Sequence, residues 1–255
     1  IRADFAIFGG RFSASISDPL EHVINQTGGV LDGAVALGFG DDIFQNDGHV
    51  IGPVQMGFDE DHFFGSGTVD GYVDMGWGND LFEGSSSADI AYGGYDQDIL
   101  TGGGGGDLLL GGFGHDDLQG GAGNDGLFGE WGDDIILTQG GDYVEGGADQ
   151  DRIVLGDYTF EQIDGGTGFD VLAMASGPRN FGLLEIVASG RVSNIEAIEL
   201  QGNQQLAIDA ASIAALASGS NIFWVDATSS DTVHLAGNWT RGSDVTFEDV
   251  QYQVW

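Results

Sequence analysis

The sequence predicts an all-β repeat protein, because short glycine-rich loops alternate with short apolar strands at a fixed spacing. Residues 75–137 divide into seven consecutive units of nine residues without an insertion. Each unit has the form G-G-x-G-x-D followed by a three-residue strand x-U-x, in which U is apolar. A fixed period of this kind is the signature of an architecture in which each repeat packs only against its neighbours.

Two positions of the nonapeptide never change in character. The eighth position is always apolar, and the sixth is always an aspartate: Asp80, Asp89, Asp98, Asp107, Asp116, Asp125 and Asp134. A hard cation such as Ca²⁺ takes six to eight oxygen ligands. Glycine-rich turns can direct several backbone carbonyls at one point, because glycine adopts positive φ values. One aspartate per loop adds negative charge, so the pattern predicts calcium binding.

These nonapeptides closely resemble the repeats of the repeats-in-toxin (RTX) family. The resemblance implies a parallel β-roll, with two nonapeptides per coil and each Ca²⁺ held between loops of neighbouring coils. Carried onto this chain, it places the aspartates along two edges, with Asp80, Asp98, Asp116 and Asp134 on one and Asp89, Asp107 and Asp125 on the other. The unit that contains Asp89 lacks two of its three glycines, so Asp89 is not among the predicted calcium ligands.

A second period, of 19 residues, precedes the nonapeptides. Three segments that start at Leu31, Val50 and Val69 align without a gap. One half of each segment is an RTX-like loop with an aspartate, and the other half is a V-x-G-x-V stretch without one. We therefore expect ions along one edge of these coils and apolar stacking along the opposite edge.

The array degrades after residue 137 but keeps an aspartate in three further units. The complete set of predicted calcium ligands is Asp42, Asp61, Asp80, Asp98, Asp107, Asp116, Asp125, Asp134, Asp142, Asp151 and Asp170.

The flanking residues differ from the repeats and predict a three-part organisation. Residues 1–28 are expected to form a short N-terminal cap with a helix that begins at Asp18-Pro19 and ends at Gly28. Residues 29–173 form the β-roll, and residues 174–255 form a β-rich C-terminal cap with one helix over residues 210–217. This last part resembles a module near the C-terminus of large RTX surface proteins. The alternative is an unrelated small β domain.

Composition excludes several partners. The net charge is −35, from 41 acidic residues against six arginines, so nucleic acid and anionic membranes are unsuitable because their binding needs a basic patch. The sequence contains no run of 18 apolar residues, so it predicts no transmembrane helix. Cysteine is absent, so no disulfide framework exists. The RTX resemblance implies type I secretion, and hence an extracellular or cell-surface location.

The third loop position is aromatic along one edge only. Six consecutive loops carry Phe39, Phe58, Trp77, Tyr95, Phe113 and Trp131 there, whereas the opposite edge carries Ser86, Gly104, Ala122 and Gly140. Neighbouring strands lie about 4.8 Å apart, so these rings are expected to stack into an outward-facing ladder. A row of rings beside polar residues suits a polysaccharide or a protein partner. The alternative is that the rings only stabilise one another.

The sequence therefore predicts a secreted, calcium-binding β-roll with a structural or adhesive role at a bacterial surface or in an extracellular assembly. We do not expect an enzyme, because neither H-E-x-x-H nor G-x-S-x-G occurs. Two alternatives remain open. The chain is either a subunit of a larger complex or filament, or the non-catalytic RTX portion of a secreted enzyme.

Overall fold

The computed structural model describes residues 3–7, 14–15, 21–157, 159–174, 187, 189–200, 204–217, 223–227 and 231–236. Its strands, numbered in chain order, pair in parallel and stack coil upon coil into a β-solenoid. The predicted all-β class and the predicted parallel β-roll are both confirmed.

Two long parallel sheets form the walls of the solenoid. The first contains, in spatial order, β1 (Ala3–Ile7), β3 (Glu21–Asn25), β6 (Ile43–Asn46), β9 (His62–Phe64), β12 (Leu81–Glu83), β14 (Ile99–Gly105), β16 (Asp117–Gly123), β18 (Ile135–Thr138), β20 (Arg152–Leu155), β22 (Val171–Met174), β24 (Ala197–Glu199) and β26 (Trp224–Asp226). The second contains β2 (Ala14–Ser15), β5 (Val35–Phe39), β8 (Val54–Phe58), β11 (Val73–Trp77), β13 (Ile90–Tyr95), β15 (Leu108–Phe113), β17 (Gly126–Trp131), β19 (Tyr143–Ala148), β21 (Gln162–Thr167) and β23 (Val192–Ser193).

Two small parallel sheets complete the described strands. One consists of β4 (Val30–Asp32), β7 (His49–Ile51) and β10 (Thr68–Val69), and the other of β25 (Gln205–Asp209) and β27 (Thr232–Ala236). The helix α1 (Ala210–Leu216) follows β25 directly.

The core is a stack of apolar side chains from the two walls. Strands pair in register, so the eighth loop position of one coil lies over the same position of the next. The buried column of the first sheet contains Phe44, Phe63, Phe82, Leu100, Leu118, Ile136, Ile153 and Leu172. The facing column of the second sheet contains Val35, Val54, Val73, Ala91, Leu109, Leu127, Val144 and Ile163. This narrow interior explains why one apolar residue per nonapeptide is enough.

The coils before residue 83 have a wider interior. Leu37, Met56 and Met75 occupy the first loop position and are fully buried. On the opposite edge Leu31 and Val50 are buried and in register, as the predicted apolar stacking requires.

An asparagine pair on that edge was not predicted. Asn25 Nδ2 donates to Asn46 Oδ1 at 2.8 Å, and both residues are buried. A polar contact between coils therefore accompanies the apolar stacking.

The helix predicted over residues 18–28 is wrong. Residues Glu21–Asn25 form strand β3, which pairs with β1 on one side and β6 on the other. Val23 and Asn25 are buried while their neighbours are not, and this period of two fits a strand. Pairing with two neighbouring strands outweighs local helix signals, whose contributions are individually small. Asp18-Pro19 lies outside the described residues.

The C-terminal part continues the roll. Strands β23, β24 and β26 extend the two walls, and Arg152 Nη2 donates to Glu199 Oε2 at 2.7 Å across this junction. The helix predicted over residues 210–217 is confirmed as α1, with the Asp209 side chain accepting from the Ser212 N–H at 2.8 Å. Residues 237–255 of the predicted β-rich cap lie outside the described residues. The division into domains at residues 28 and 173 stays a prediction.

No helix among the described residues is long and apolar enough to cross a membrane.

The register of the core predicts unequal effects for neighbouring leucines. Leu109 is fully buried, so Leu109→Ala should lower the free energy of unfolding by about 2–5 kcal/mol, because it leaves a cavity. Leu108 is only half-buried on the other face of the same strand, so Leu108→Ala is the matched control and should cost less. Urea unfolding in saturating calcium measures both. Equal losses would contradict the assigned register.

Candidate metal centre

The loops bury every predicted aspartate. The side chains of all eleven predicted ligands are at most 3% exposed, although they carry charge and stand in surface loops. Carboxylates are almost never buried unless they are paired or bind a metal. Each one therefore needs an identified partner.

One carboxylate oxygen of each loop is bound by the neighbouring coil. The Asp98 N–H donates to Asp116 Oδ1 at 2.8 Å, and the Asp116 N–H donates to Asp134 Oδ1 at 2.8 Å. The same contact runs along one edge through Asp42, Asp61, Asp80, Asp98, Asp116, Asp134, Asp151 and Asp170. It runs along the other through Asp89, Asp107, Asp125 and Asp142. These are the two edges that the RTX resemblance implied.

The second carboxylate oxygen has no protein partner in most loops. The Oδ2 atoms of Asp61, Asp80, Asp98, Asp107, Asp116, Asp125, Asp134, Asp151 and Asp170 are buried and accept no hydrogen bond. A buried acceptor left unsatisfied costs about 1–3 kcal/mol, and more when it is charged. A row of such atoms at one position of a repeat indicates a bound cation.

The surroundings of these oxygens fit calcium. A Cβ built on Gly111 would lie 2.9 Å from the Gly129 carbonyl oxygen and closer still to Asp116 Oδ2. Gly93 has the same relation to Asp98 Oδ2 and to the Gly111 carbonyl oxygen. Glycine at the first loop position thus leaves a space lined by one carboxylate oxygen and a carbonyl oxygen of the next coil. Hard oxygen donors of this kind are those that Ca²⁺ prefers.

No group of three or more His, Cys, Asp or Glu side chains is close enough to share a metal ion, as far as the described residues extend. This agrees with loops that supply one carboxylate each and otherwise offer backbone carbonyls.

In two loops, hydrogen bonds from the protein satisfy the second carboxylate oxygen without a metal. Asp89 Oδ2 accepts from the Ser85 N–H at 2.8 Å and from Ser85 Oγ at 3.2 Å. Asp142 Oδ2 accepts from the Gln139 N–H at 2.8 Å and from Thr138 Oγ1 at 3.2 Å. The sequence analysis left Asp89 out but included Asp142. The shared hydroxyl four residues before the aspartate is the signal that separates both loops from the others.

The loops of Asp42, Asp61 and Asp80 also differ from the later ones. Their first position carries the buried Leu37, Met56 and Met75 in place of glycine. A side chain therefore stands where the later loops leave space beside the carboxylate. The difference is readable in the sequence, although the shared aspartate places all these loops in one predicted set of ligands.

Glu196 is a further carboxylate in the row that the sequence analysis missed. The Asp170 N–H donates to Glu196 Oε2 at 3.0 Å, and Glu196 is buried. It therefore takes the place of the next aspartate after the last nonapeptide. No nonapeptide surrounds it, so the repeat pattern offered no signal.

The aromatic edge has the predicted geometry. The six rings are 41–61% exposed and follow one another with centroid separations of 4.1–6.1 Å and interplanar angles of 6–26°. The ladder of Phe39, Phe58, Trp77, Tyr95, Phe113 and Trp131, called the aromatic ladder below, is therefore stacked face to face with its ring edges outward.

The polar fifth position beside the aromatic ladder has a structural use. Asn79 Oδ1 accepts from the Gln97 N–H at 3.0 Å, and His115 Nδ1 accepts from the Asp133 N–H at 3.0 Å. These side chains bind the backbone of the next coil, so the polar row is not by itself a sign of a ligand.

Burial and mutual repulsion shift the titration of the loop aspartates. The pKa is raised to about 8 for Asp98, about 7 for Asp116 and about 6 for Asp134. Desolvation is the largest cause in each, and neighbouring carboxylates such as Asp80 add to it for Asp98, whereas the backbone hydrogen bond at Oδ1 acts in the opposite direction. The metal-free fold therefore favours protonated carboxyls.

These raised pKa values predict a pH-dependent calcium affinity. Protonation stabilises the metal-free fold below about pH 4, and this contribution is lost as the pH rises through about 6 to 8. Calcium must displace the protons. The calcium concentration at the folding midpoint should therefore decrease as the pH is raised from about 5 to about 8. Titrations followed by circular dichroism, with proton release measured by calorimetry in two buffers, test this. A midpoint independent of pH would contradict it.

The first-position glycines predict a local effect on calcium binding. Gly111→Ala should raise the calcium midpoint, because its Cβ would occupy the space beside Asp116 Oδ2. Gly106→Ala is the matched control, since a Cβ there meets only the Asn124 carbonyl oxygen, at 3.3 Å, and its φ is not in the left-handed region. Calcium titrations of both variants compare them. Equal midpoints would show that the space at Gly111 does not hold the ion.

Comparison with known proteins agrees with this geometry. The family model of the RTX calcium-binding nonapeptide repeat (4 copies) matches residues 76–109, 101–136 and 110–143. No curated protein and no solved structure matches the chain significantly. The matched residues include five loops in which Oδ2 is unpartnered and the first position is glycine, those of Asp98, Asp107, Asp116, Asp125 and Asp134. Residues 76–143 are therefore RTX-type calcium-binding nonapeptide repeats, built into a parallel β-solenoid.

Proposed function

We propose that this RTX-type protein acts outside the cell as a calcium-loaded structural or adhesive module, in a bacterial surface layer or an extracellular assembly. The observation that carries the proposal is the row of buried Oδ2 atoms without a protein partner. An array that needs one cation after another is stable only where calcium is abundant. RTX repeat proteins are typically secreted by type I systems, which supports the extracellular location.

The proposed role is coordination and display, without catalysis. The buried aspartates are engaged through Oδ1 with the backbone of the neighbouring coil. These carboxylates therefore hold neighbouring coils together. The alternative of an enzyme's non-catalytic RTX portion places the same module beside a separate catalytic domain.

The aromatic ladder is the proposed partner-binding edge. Its rings are 41–61% exposed although they are large and apolar, and contiguous exposed apolar surface is typical of binding sites. The opposite edge has Gly104 and Ala122 at the same loop position and folds in the same way. The roll itself therefore does not require rings there. A subunit contact in a larger complex or filament would use this same surface.

The central prediction of this function is that folding depends on calcium. Without a cation the stacked carboxylates repel one another and lie buried without a partner, so ion binding and folding share one free energy. We expect little β-structure by circular dichroism in chelator, and a cooperative gain on adding Ca²⁺. Mg²⁺ should substitute poorly, because it demands compact octahedral geometry and gives up its water reluctantly.

Paired variants sharpen this test. Asp98→Ala should raise the calcium midpoint more than Asp89→Ala, because only the Asp98 carboxylate has an oxygen without a protein partner. The two positions lie in neighbouring loops of the same array, so Asp89→Ala is the matched control. Equal β-structure with and without chelator would refute the proposed function.

A further inference from the structure

The aromatic ladder ends at Trp131, and this end differs from its interior. Trp77 lies between Phe58 and Tyr95, with ring centroids at 6.1 and 4.1 Å, so rings cover both of its faces. Trp131 stacks on Phe113 at 4.5 Å with an interplanar angle of 6°. Its strand neighbour on the other side is Ala148.

The step from Trp131 to Ala148 leaves one face of the Trp131 ring without an aromatic neighbour among the described residues. Ala148 is followed in register by Thr167, so no ring returns at this position in the next coil. Trp131 is 51% exposed. Because strands repeat about every 4.8 Å, the small side chain of Ala148 leaves room for one flat group against the indole.

This distinction matters because only ring faces attract cations. The face of an aromatic ring carries negative charge density and its edge carries positive. The interior of the ladder shows its edges to the solvent, whereas Trp131 also offers a face. The coil before Phe39 at this position lies outside the described residues, so Trp131 is the end that can be assigned.

Acidic groups surround the step. Asp133 follows Trp131 in the same loop, and its Oδ1 accepts from the Gln150 N–H at 2.8 Å, which holds it over the coil of Ala148. Asp149 is exposed and stands at a position with φ 81°, where most other loops have glycine. Arg152, the next basic residue along the chain after Ala148, is bound to Glu199. The step thus combines an indole face with nearby negative charge.

We propose that the step between Trp131 and Ala148 binds an arginine side chain of a basic partner polypeptide. A guanidinium over the indole face lies within the range of about 6 Å over which cations and aromatic rings attract. It is planar and weakly hydrated, so it stacks better than an ammonium group. Asp133 and Asp149 steer it to the site. The inference rests on the proposed use of the aromatic ladder as the partner-binding edge, and it names the chemistry of the partner.

Charge selects this occupant over two others. A neutral sugar can stack on an indole face and donate its hydroxyls to carboxylates, but it carries no positive charge to balance those that flank this face. A second copy of the chain carries the same net charge of −35, so its approach is opposed by repulsion. An arginine-bearing segment satisfies both the face and the charge.

Isothermal titration of the calcium-loaded protein with a capped tetra-arginine peptide tests the proposal. Trp131→Ala should weaken binding by about two- to fivefold, the size of an exposed cation–π contact. Trp77→Ala is the matched control, with the same net charge and the same residue type removed. It leaves the Trp131 face intact and opens faces on Phe58 and Tyr95, so it should not weaken binding. Ala148→Leu keeps Trp131 but covers its open face, and should weaken binding in the same way. Circular dichroism checks that all variants fold.

Titrations with two further ligands distinguish an arginine side chain from the other possible occupants of the site. A tetra-lysine peptide should bind less tightly than the arginine peptide, and a neutral cello-oligosaccharide should not bind. Equal affinity of Trp131→Ala and the parent would overturn the site and leave only diffuse attraction to an acidic protein. Sugar binding that is lost in Trp131→Ala would also overturn it, in favour of a saccharide. Equal weakening by Trp77→Ala would overturn the terminal site while leaving the ladder as the binding edge. None of these outcomes touches calcium-dependent folding, which is measured separately.

Discussion

Stacking buried carboxylates is the constraint on which the rest of the structure depends. Each coil brings an aspartate into line with the aspartates above and below it, and the backbone N–H of one coil binds Oδ1 of the next. This contact fixes the coil spacing, but it leaves Oδ2 buried and negatively charged. A cation beside each such oxygen would satisfy it, and on the proposed function calcium is therefore part of the fold and not an addition to it.

The other regular features follow from that register. First-position glycines leave space at the carboxylate, and one apolar residue per strand suffices for the narrow core. The same register carries any third-position ring directly over the next, which produces the aromatic ladder with separations of 4.1–6.1 Å. The outward-facing residues can therefore form a binding surface without changing the packing of the core, because outward and inward side chains point to opposite faces of the strand.

The repeated part of the chain was predictable from sequence, and the exceptions have physical causes. The two edges, the ladder and the helix capped by Asp209 follow from spacing and local chemistry. The strand Glu21–Asn25 was mistaken for a helix because its partners lie in other coils, and local signals do not report them. Asp142 was grouped with the calcium ligands because its aspartate keeps the repeat phase, although Thr138 stands four residues before it as Ser85 does before Asp89, and its hydroxyl donates to Asp142 Oδ2. Glu196 extends the row from outside the repeat.

The most direct test of this account is anomalous X-ray diffraction from crystals grown with calcium. The account predicts anomalous peaks beside the Oδ2 atoms of Asp98, Asp107, Asp116 and Asp134, between each carboxylate and the next coil. It predicts none at Asp89 or Asp142, whose Oδ2 atoms already accept two hydrogen bonds. Peaks at Asp89 and Asp142, or none at the other four, would contradict the claim that the unpartnered carboxylate oxygens hold the ions.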